Sequence, residues 1–355
     1  MKKIILLSLI FLNSLLAEEL SIIPQVQNLK INGQRFPLDS KISINFHDNI
    51  FKNTARHLQK WLKKEGFVIA PKEQSTYQIN FSLDSELKDN YSLKIDKKQT
   101  SISSKSPEGA FYAFQTLKQI LEKREKTQTL VPLEIIDKPR FQWRGMHLDV
   151  SRHFFPKSFI KKYIDHLARY KMNTFHWHLV DGPGWRIEIK KYPKLTSIGA
   201  WRKDKRATVW NWRATEISKK GKSVDSYGGF YTQDDIREIV AYATERYITI
   251  VPEIEMPGHS YASLIAYPEF ACPTNNIKVD GLRGKDAVCV GNEKTYEFLE
   301  NILDEVLELF PSKNIHIGAD EVYKITWKEC PLCEAKKKKE AEEKKRECVP
   351  LLTPF

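Results

Sequence analysis

Asp320 and Glu321 stand side by side at the end of the apolar run His316-Ile-Gly-Ala-Asp-Glu-Val322. Adjacent carboxylates repel each other and lose hydration wherever they approach burial, so such a pair usually has a task. The plainest task is structural: Asp320 caps a following helix while Glu321 faces solvent. Other segments weigh against it. Phe175-His-Trp-His-Leu179, followed by Asp181 and Trp185, gathers imidazoles, a carboxylate and two indoles around one strand end, and sugar sites favour aromatic faces beside polar groups. Taken alone, the indoles are better read as core. Pro252-Glu-Ile-Glu-Met-Pro-Gly-His259 adds two carboxylates and a histidine at a sharp Pro-Gly turn. Arg144, at the start of another strand, needs carboxylate or hydroxyl partners if buried, and a structural ion pair is its ordinary reading.

The elements that must position these groups can be read from periodicity. From Leu20 to about Asp137 the chain alternates apolar and polar residues, as in Lys41-Ile-Ser-Ile-Asn-Phe46 and Tyr91-Ser-Leu-Lys-Ile95, which is the pattern of half-buried strands. Lys52 to Glu65 and Pro107 to Lys123 break it with helical spacing, Ser106-Pro107 serving as a start signal and Gly66 as a stop. A small α+β unit is expected, its strands covered on one face by two helices. After Asp137-Lys-Pro139 short strands at Gly145 to Val150, Asn173 to Leu179, Ile248 to Ile254 and Asn314 to Ala319 alternate with helices at about Lys157 to Tyr170, Gln233 to Arg246 and Lys294 to Leu309. That order makes parallel strands with helical crossovers. Asp149, His178 with Asp181, Glu253 with Glu255 and His259, and Asp320 with Glu321 all fall at the C-terminal edge of a strand, where a (β/α) barrel assembles its active site. No Gly-rich phosphate fingerprint opens a helix, which disfavours a dinucleotide fold.

The 355 residues, 41% hydrophobic and 11% aromatic, suit one or two globular domains. The net charge of +12 is spread over dispersed lysines and the run Lys336 to Lys339, without the aromatic-interleaved stripe of a nucleic-acid surface, so no nucleic-acid partner is expected. Met1 to Ala17 has a basic start, an apolar run from Ile4 to Leu12 and a small residue before Glu18, the form of a cleaved export signal. Its apolar stretch is short for a membrane span of ~20 residues, so the protein is expected to be exported, periplasmic or extracellular, without a stable membrane span. Of the five cysteines, Cys272 and Cys289 bracket a polar loop that a disulfide could close. Cys330-Pro-Leu-Cys333 reads as a bridge, a redox pair or half a zinc site; with only Cys348 nearby and no suitably spaced histidines, a structural thiol pair in a turn is the better reading.

Trp143-Arg-Gly, His147-Leu-Asp-Val-Ser-Arg-His-Phe154, His176-Trp-His-Leu179, Gly184-Trp-Arg-Ile-Glu188, Pro252-Glu-Ile-Glu-Met-Pro-Gly-His259 and His316-Ile-Gly-Ala-Asp-Glu321 resemble, in order and spacing, the family-20 β-N-acetylhexosaminidases. Tyr91-Ser-Leu93 and the run from Pro107 to Leu117 look like the small domain that precedes the barrel in that family. The resemblance covers about Ile22 to Ala335. It implies exo-acting, retaining hydrolysis of terminal non-reducing N-acetylglucosamine or N-acetylgalactosamine by substrate-assisted catalysis. Glu321 would be the general acid, and Asp320 would hold the acetamido N–H so that the substrate's own carbonyl oxygen attacks the anomeric carbon. Arg144 would grip sugar hydroxyls, while Asp181 and His259 would orient and tune Glu321. The implied partners are N-acetylhexosamine-containing glycans, and neither a metal nor an organic cofactor is required.

The chain departs from the family pattern at Ala319, where Gly is commoner, at Glu255, where Asp is common, and at Val180, Gly182 and Pro183 around Asp181. About four strands can be read after Arg140, whereas a closed barrel needs eight in ~250 residues, so the expected fold is an α/β chain: signal peptide 1–17, α+β domain 18–138, the first half of a (β/α)8 TIM-barrel catalytic domain at 139–335 and a charged tail at 336–355. The tail resembles no barrel segment; its lysine run reads as a point where the reading frame was lost or as a charged helix. Two rival readings stand beside the enzyme. One is a truncated, inactive relative with at most weak sugar binding; the other is a different barrel glycosidase in which the acid pairs with Glu253 or Glu255.

Overall fold

The computed structural model describes residues 20, 22–87, 91–122, 129–203, 226–274 and 286–347. The export-signal expectation at residues 1–17 and Cys348 lie outside them. Two compact units divide the chain. The first comprises residues 1–144, 165–173 and 245–247, and the second residues 145–164, 174–244 and 248–355.

In the first unit β1 (Asn28–Ile31), β2 (Lys41–Phe46), β3 (Val68–Ile69), β4 (Tyr77–Leu83), β5 (Tyr91–Ile95), β6 (Gln99–Ser104) and β7 (Leu133–Asp137) form a seven-stranded mixed sheet in the order β1-β7-β5-β6-β4-β2-β3. Tyr77, Ile79 and Phe81 of β4 and Tyr91, Leu93 and Ile95 of β5 are buried at alternate positions, as period-two patterning requires. Helices α1 (Lys52–Lys64) and α2 (Pro107–Glu122) bring Leu58, Leu62, Phe111, Phe114 and Leu117 into the same core. Helix α1 ends at Gly66, whose φ of 87° lets the Phe67 N–H reach the Leu62 carbonyl and the Gly66 N–H reach that of Lys63.

The second unit has the β-α-β grain expected of it. Strands β8 (Gly145–Asp149), β9 (Thr174–Asp181) and β10 (Thr249–Ile254) lie side by side in parallel, with α3 (Lys157–Arg169) between the first two and α4 (Gln233–Thr244) before the third. Strand β9 is central and buried on both faces, as parallel strands between helices are. Helices α5 (Tyr261–Ala266) and α6 (Glu293–Leu309) follow β10; α6 is capped by the Asn292 side chain and buries Phe298, Ile302, Val306 and Leu309 at helical spacing. The fourth strand read from Asn314 to Ala319 shrinks to one parallel bridge between Glu253 and His316. The cause is local: Gly318 and Ala319 adopt φ of 65° and 73°, turning the chain out of extended conformation. Four successive parallel strand positions with intervening helices are the opening of a (β/α)8 barrel. The lysine-rich run lies in α7 (Pro331–Glu347). Among the described residues no helix is long and apolar enough to cross a membrane.

Candidate active site

Register decides which side chains meet. His147 faces His176, Asp149 faces His178, and His178 faces Glu253 across the β8-β9-β10 ladder. Because side chains alternate, this alignment stacks imidazoles and carboxylates on one face of the sheet. Between His178 and Val180 the register slips, so the bulge re-aims β9 where Asp181 begins the loop.

Glu253 is nearly fully buried and receives His176 Nε2 at 2.7 Å, His316 Nδ1 at 2.9 Å and His178 Nδ1 at 3.4 Å. Burial works to raise its pKa, but the His176 hydrogen bond and the charges of His178 and His316 outweigh burial and hold it down to about 2. Glu255, two residues on, has the opposite fate. Burial, then the charges of Asp320 and Asp181, push it up to about 9, so it carries a proton at neutral pH. Its carboxyl accepts the Ala319 N–H at 3.2 Å and lies over Gly318, where a Cβ would come within 1.8 Å of Oε2. Burial opposes charge on His178, yet its bond to Asp181 and the charges of Glu253 and Asp149 raise its pKa.

Asp320 and Glu321 stand on the turn that Gly318 begins. Their side chains are 66% and 74% exposed, and Glu321 has a φ of 46°. His259, also in the left-handed region at φ 48°, connects them to the buried layer. Its Nε2 lies 3.6 Å from Glu321 and 3.8 Å from Asp320, and its Nδ1 lies 3.5 Å from Asp181, which is 2% exposed. A buried carboxylate thus backs an imidazole that faces two open ones, an arrangement able to orient a proton donor. Three non-glycine residues of one site, His259, Ala319 and Glu321, hold φ values that L side chains rarely adopt, and such strain gathers at functional sites.

Residues 19–138 match the profile of glycosyl hydrolase family 20, domain 2, and residues 141–351 that of the glycosyl hydrolase family 20 catalytic domain. The chain belongs to glycosyl hydrolase family 20. A β-hexosaminidase of Porphyromonas gingivalis is 39% identical over 331 residues, 89% of this chain and 40% of that relative. One from Vibrio furnissii is 37% identical over 90% of this chain and 51% of the relative. The crystal structure of a family 20 exo-β-N-acetylglucosaminidase from Vibrio harveyi, in complex with N-acetylglucosamine, superposes with a TM-score of 0.80 at 33% identity, covering 91% of this chain and 50% of that one. The chain therefore spans about half the length of these relatives.

Of the residues singled out for this family 20 site, the fold gathers Asp181, His259, Asp320 and Glu321 in the second unit. Arg144 is not among these four. It belongs to the first unit, where its guanidinium donates to the Lys171, Phe141 and Gln142 carbonyls and to the Tyr112 hydroxyl, with Glu108 at 4.0 Å, so its donors are committed to structure. The guanidinium at the carboxylates is Arg152, which reaches Asp181 at 2.6 Å and Asp149 at 3.1 Å. Its signal was present in the motif from His147 to Phe154: an arginine three residues after a strand-end Asp. Asp286 was not singled out either; burial raises its pKa against the opposing charge of His259, and its carbonyl accepts the Ser260 N–H.

The indoles and Arg186 serve the core. Trp177 and Trp185 are core, Trp177 stacking on Phe175 and both fully or almost fully buried, so neither offers a face to a sugar. Arg186 is wholly buried and donates to the carbonyls of Val150, Ser151, Ala200 and Gly229, joining the loops after β8 and β9. Gly184 makes room for it, since a Cβ there would meet the guanidinium at 2.3 Å. Ligand-type side chains approach one another in His147–His176–Glu253, His178–Glu253–Glu255 and His259–Asp320–Glu321, and in a quartet of cysteines.

Proposed function

We propose that the protein acts as an exo-acting, retaining β-N-acetylhexosaminidase on terminal N-acetylglucosamine or N-acetylgalactosamine of glycans. The observation that carries the reading is the Asp181–His259–Glu321 alignment with Asp320 beside it. Glu321 donates a proton to the glycosidic oxygen as the bond to the anomeric carbon breaks. Asp320 accepts the substrate acetamido N–H, turning the acetamido oxygen onto that carbon to form the oxazolinium. Water then opens the ring with Glu321 as base, restoring the starting protonation and retaining configuration. His259, backed by Asp181, fixes where Glu321 points, and Arg152 offers donors for sugar hydroxyls.

The pairing of the acid with Glu253 or Glu255 as nucleophile is disfavoured. Glu253 is engaged by His176 and His316, and Glu255 is protonated at neutral pH. An inactive relative with weak sugar binding remains the second reading; it draws on the wide exposure of Asp320 and Glu321.

Release of 4-nitrophenol from its N-acetyl-β-glucosaminide tests the proposal. Turnover by the purified chain should fall about 10²–10⁴-fold in Glu321→Gln without loss of folding. Equal rates in parent and variant would remove Glu321 from the mechanism, and no turnover in either would favour the inactive relative. We also propose export, supported by the basic, then apolar, then small-residue pattern of residues 1–17. Amino-terminal sequencing of the cell-produced protein should begin at Glu18; retention of Met1 or Lys2 in the mature protein would contradict it.

A further inference from the structure

The second pair of ligands that Cys330-Pro-Leu-Cys333 lacked in sequence is supplied by the fold. Cys272 follows Ala271, which pairs in antiparallel fashion with Val288, the residue before Cys289. This places Cys272 and Cys289 against the start of α7. The four thiols, separated by as much as 61 positions in the chain, come together as one buried cluster packed against Val290 and Trp327. Their sulfurs lie 3.7 Å apart for Cys272 and Cys333, 3.8 Å for Cys289 and Cys330, and 3.7 Å for Cys289 and Cys333, and all four lie within 4.8 Å of one another.

Ordinary core thiols and a pair of disulfides are the alternatives. A disulfide pairing would single out partners, yet Cys289 is as near to Cys330 as to Cys333, and Cys333 as near to Cys272 as to Cys289. A tetrahedron of sulfurs about zinc, with Zn–S of ~2.3 Å, has edges of ~3.8 Å, the spacing of the three pairs just given. The main chain at Gly291, two residues after Cys289, runs hard against the Leu332–Cys333 peptide. That approach requires glycine, because a Cβ on Gly291 would sit 2.3 Å from the Leu332 carbonyl carbon and 2.4 Å from the Cys333 nitrogen.

We propose that Cys272, Cys289, Cys330 and Cys333 bind one zinc ion in a closed tetrahedral site of structural role. Four thiolates leave no open position for water or substrate, and four soft sulfur donors select zinc over hard oxygen-seeking cations. Loading exchanges four S–H protons, released to solvent, for four Zn–S bonds, with no change of oxidation state. The ion would tie together the segments that carry the catalytic candidates. The Val288 N–H donates to the Pro257 carbonyl, and Ser260, next to His259, donates to Asp286. Trp327, between Glu321 and Cys330, donates its indole N–H to the Val288 carbonyl at 3.0 Å.

Elemental analysis of the full chain, purified without chelator or reductant, should find one zinc per chain whatever its catalytic activity. Replacement by cobalt(II) should give the intense visible bands of a tetrahedral site and thiolate charge transfer in the near ultraviolet. Cys330→Ser with Cys333→Ser should lose the metal, and Cys348→Ser should keep it. If the double variant fails to fold, the cobalt spectrum of the parent still decides. Metal-free protein with titratable thiols, an intact mass showing disulfides among the four cysteines, or loss of metal in Cys348→Ser would each overturn the proposal.

Discussion

Each unit gathers a cluster of charged groups, and the two clusters are built on opposite principles. In the first, Lys171 Nζ lies 3.0 Å from Asp137 and 2.8 Å from the Tyr91 hydroxyl; that hydroxyl also reaches Asp137 and Thr116, and the remaining Asp137 oxygen takes the Gln27 N–H. One cation, one anion and neutral partners close on themselves. In the second, Asp149, Asp181, Glu253, Glu255, Asp320 and Glu321 share the Arg152 guanidinium and a set of imidazoles. Burial works to raise both middle carboxyls; at Glu253 the surrounding imidazoles outweigh it and at Glu255 the charges of Asp320 and Asp181 add to it, so these neighbours part company, Glu253 going down to about 2 and Glu255 up to about 9. A saturated cluster only holds a fold, whereas an unsaturated one keeps protons available for chemistry.

Breaking the saturated cluster should cost stability and nothing else. Asp137→Ala strands a buried ammonium and should destabilise by about 3–5 kcal/mol, read as a fall in the urea midpoint of the first unit's transition. A loss under about 1 kcal/mol would mean that Lys171 finds water or another partner, and that the cluster is not closed.

In the second unit the effect should instead appear in the pH dependence. Glu255 binds its proton more tightly in the fold than in the unfolded chain, so its contribution is fully present below pH 4.5 and is lost as pH rises toward about 9. Glu253 runs the other way: its contribution is present above pH 4.5 and is lost as pH falls toward about 2. The Tm of the parent should therefore decline on the alkaline side more steeply than that of Glu255→Gln, which cannot ionise. Glu253→Gln should lower Tm at neutral pH and flatten the acid limb. Parallel alkaline limbs for the parent and Glu255→Gln would mean that Glu255 is ionised in the native protein.

Much of this was legible in the sequence because it follows from period and punctuation. The alternation of β4 and β5, the helix start at Pro107, the stop at Gly66 and the strand-end placement of Asp181, His259 and Glu321 are local patterns that tertiary packing left in place. What failed to show needed distance information. Arg144 and Arg152 are both arginines beside β8, and only the donors each one meets separate the brace from the residue at the carboxylates. Trp177 and Trp185 read as core when taken alone, and their burial agrees. Arg186 gives no signal of four carbonyl partners gathered from three segments of the chain. The cysteines were read as two local pairs because spacing along the chain cannot reveal that β10's following loop meets the start of α7. Asn314 to Ala319 reads as a full strand because apolar composition continues through residues whose backbone has already turned.

The finest test of the contrast uses two glycines with similar backbone conformation. Gly318 (φ 65°) lies under the Glu255 carboxyl, while Gly66 (φ 87°) has nothing within 4 Å of a built Cβ. Alanine at either position pays the left-handed penalty of about 1 kcal/mol. At Gly66 nothing more is lost, because the hydrogen bonds that close α1 are made by the main chain. At Gly318 the methyl must also move Glu255, whose carboxyl accepts the Ala319 N–H and is set by Asp320 and Asp181. Gly318→Ala should therefore lose more stability than Gly66→Ala and should also shift the alkaline limb of Tm, whereas Gly66→Ala should lower Tm evenly across pH. Equal losses with unchanged pH profiles would mean that Glu255 is free to move aside, and that the crowding over Asp320 and Glu321 is soft.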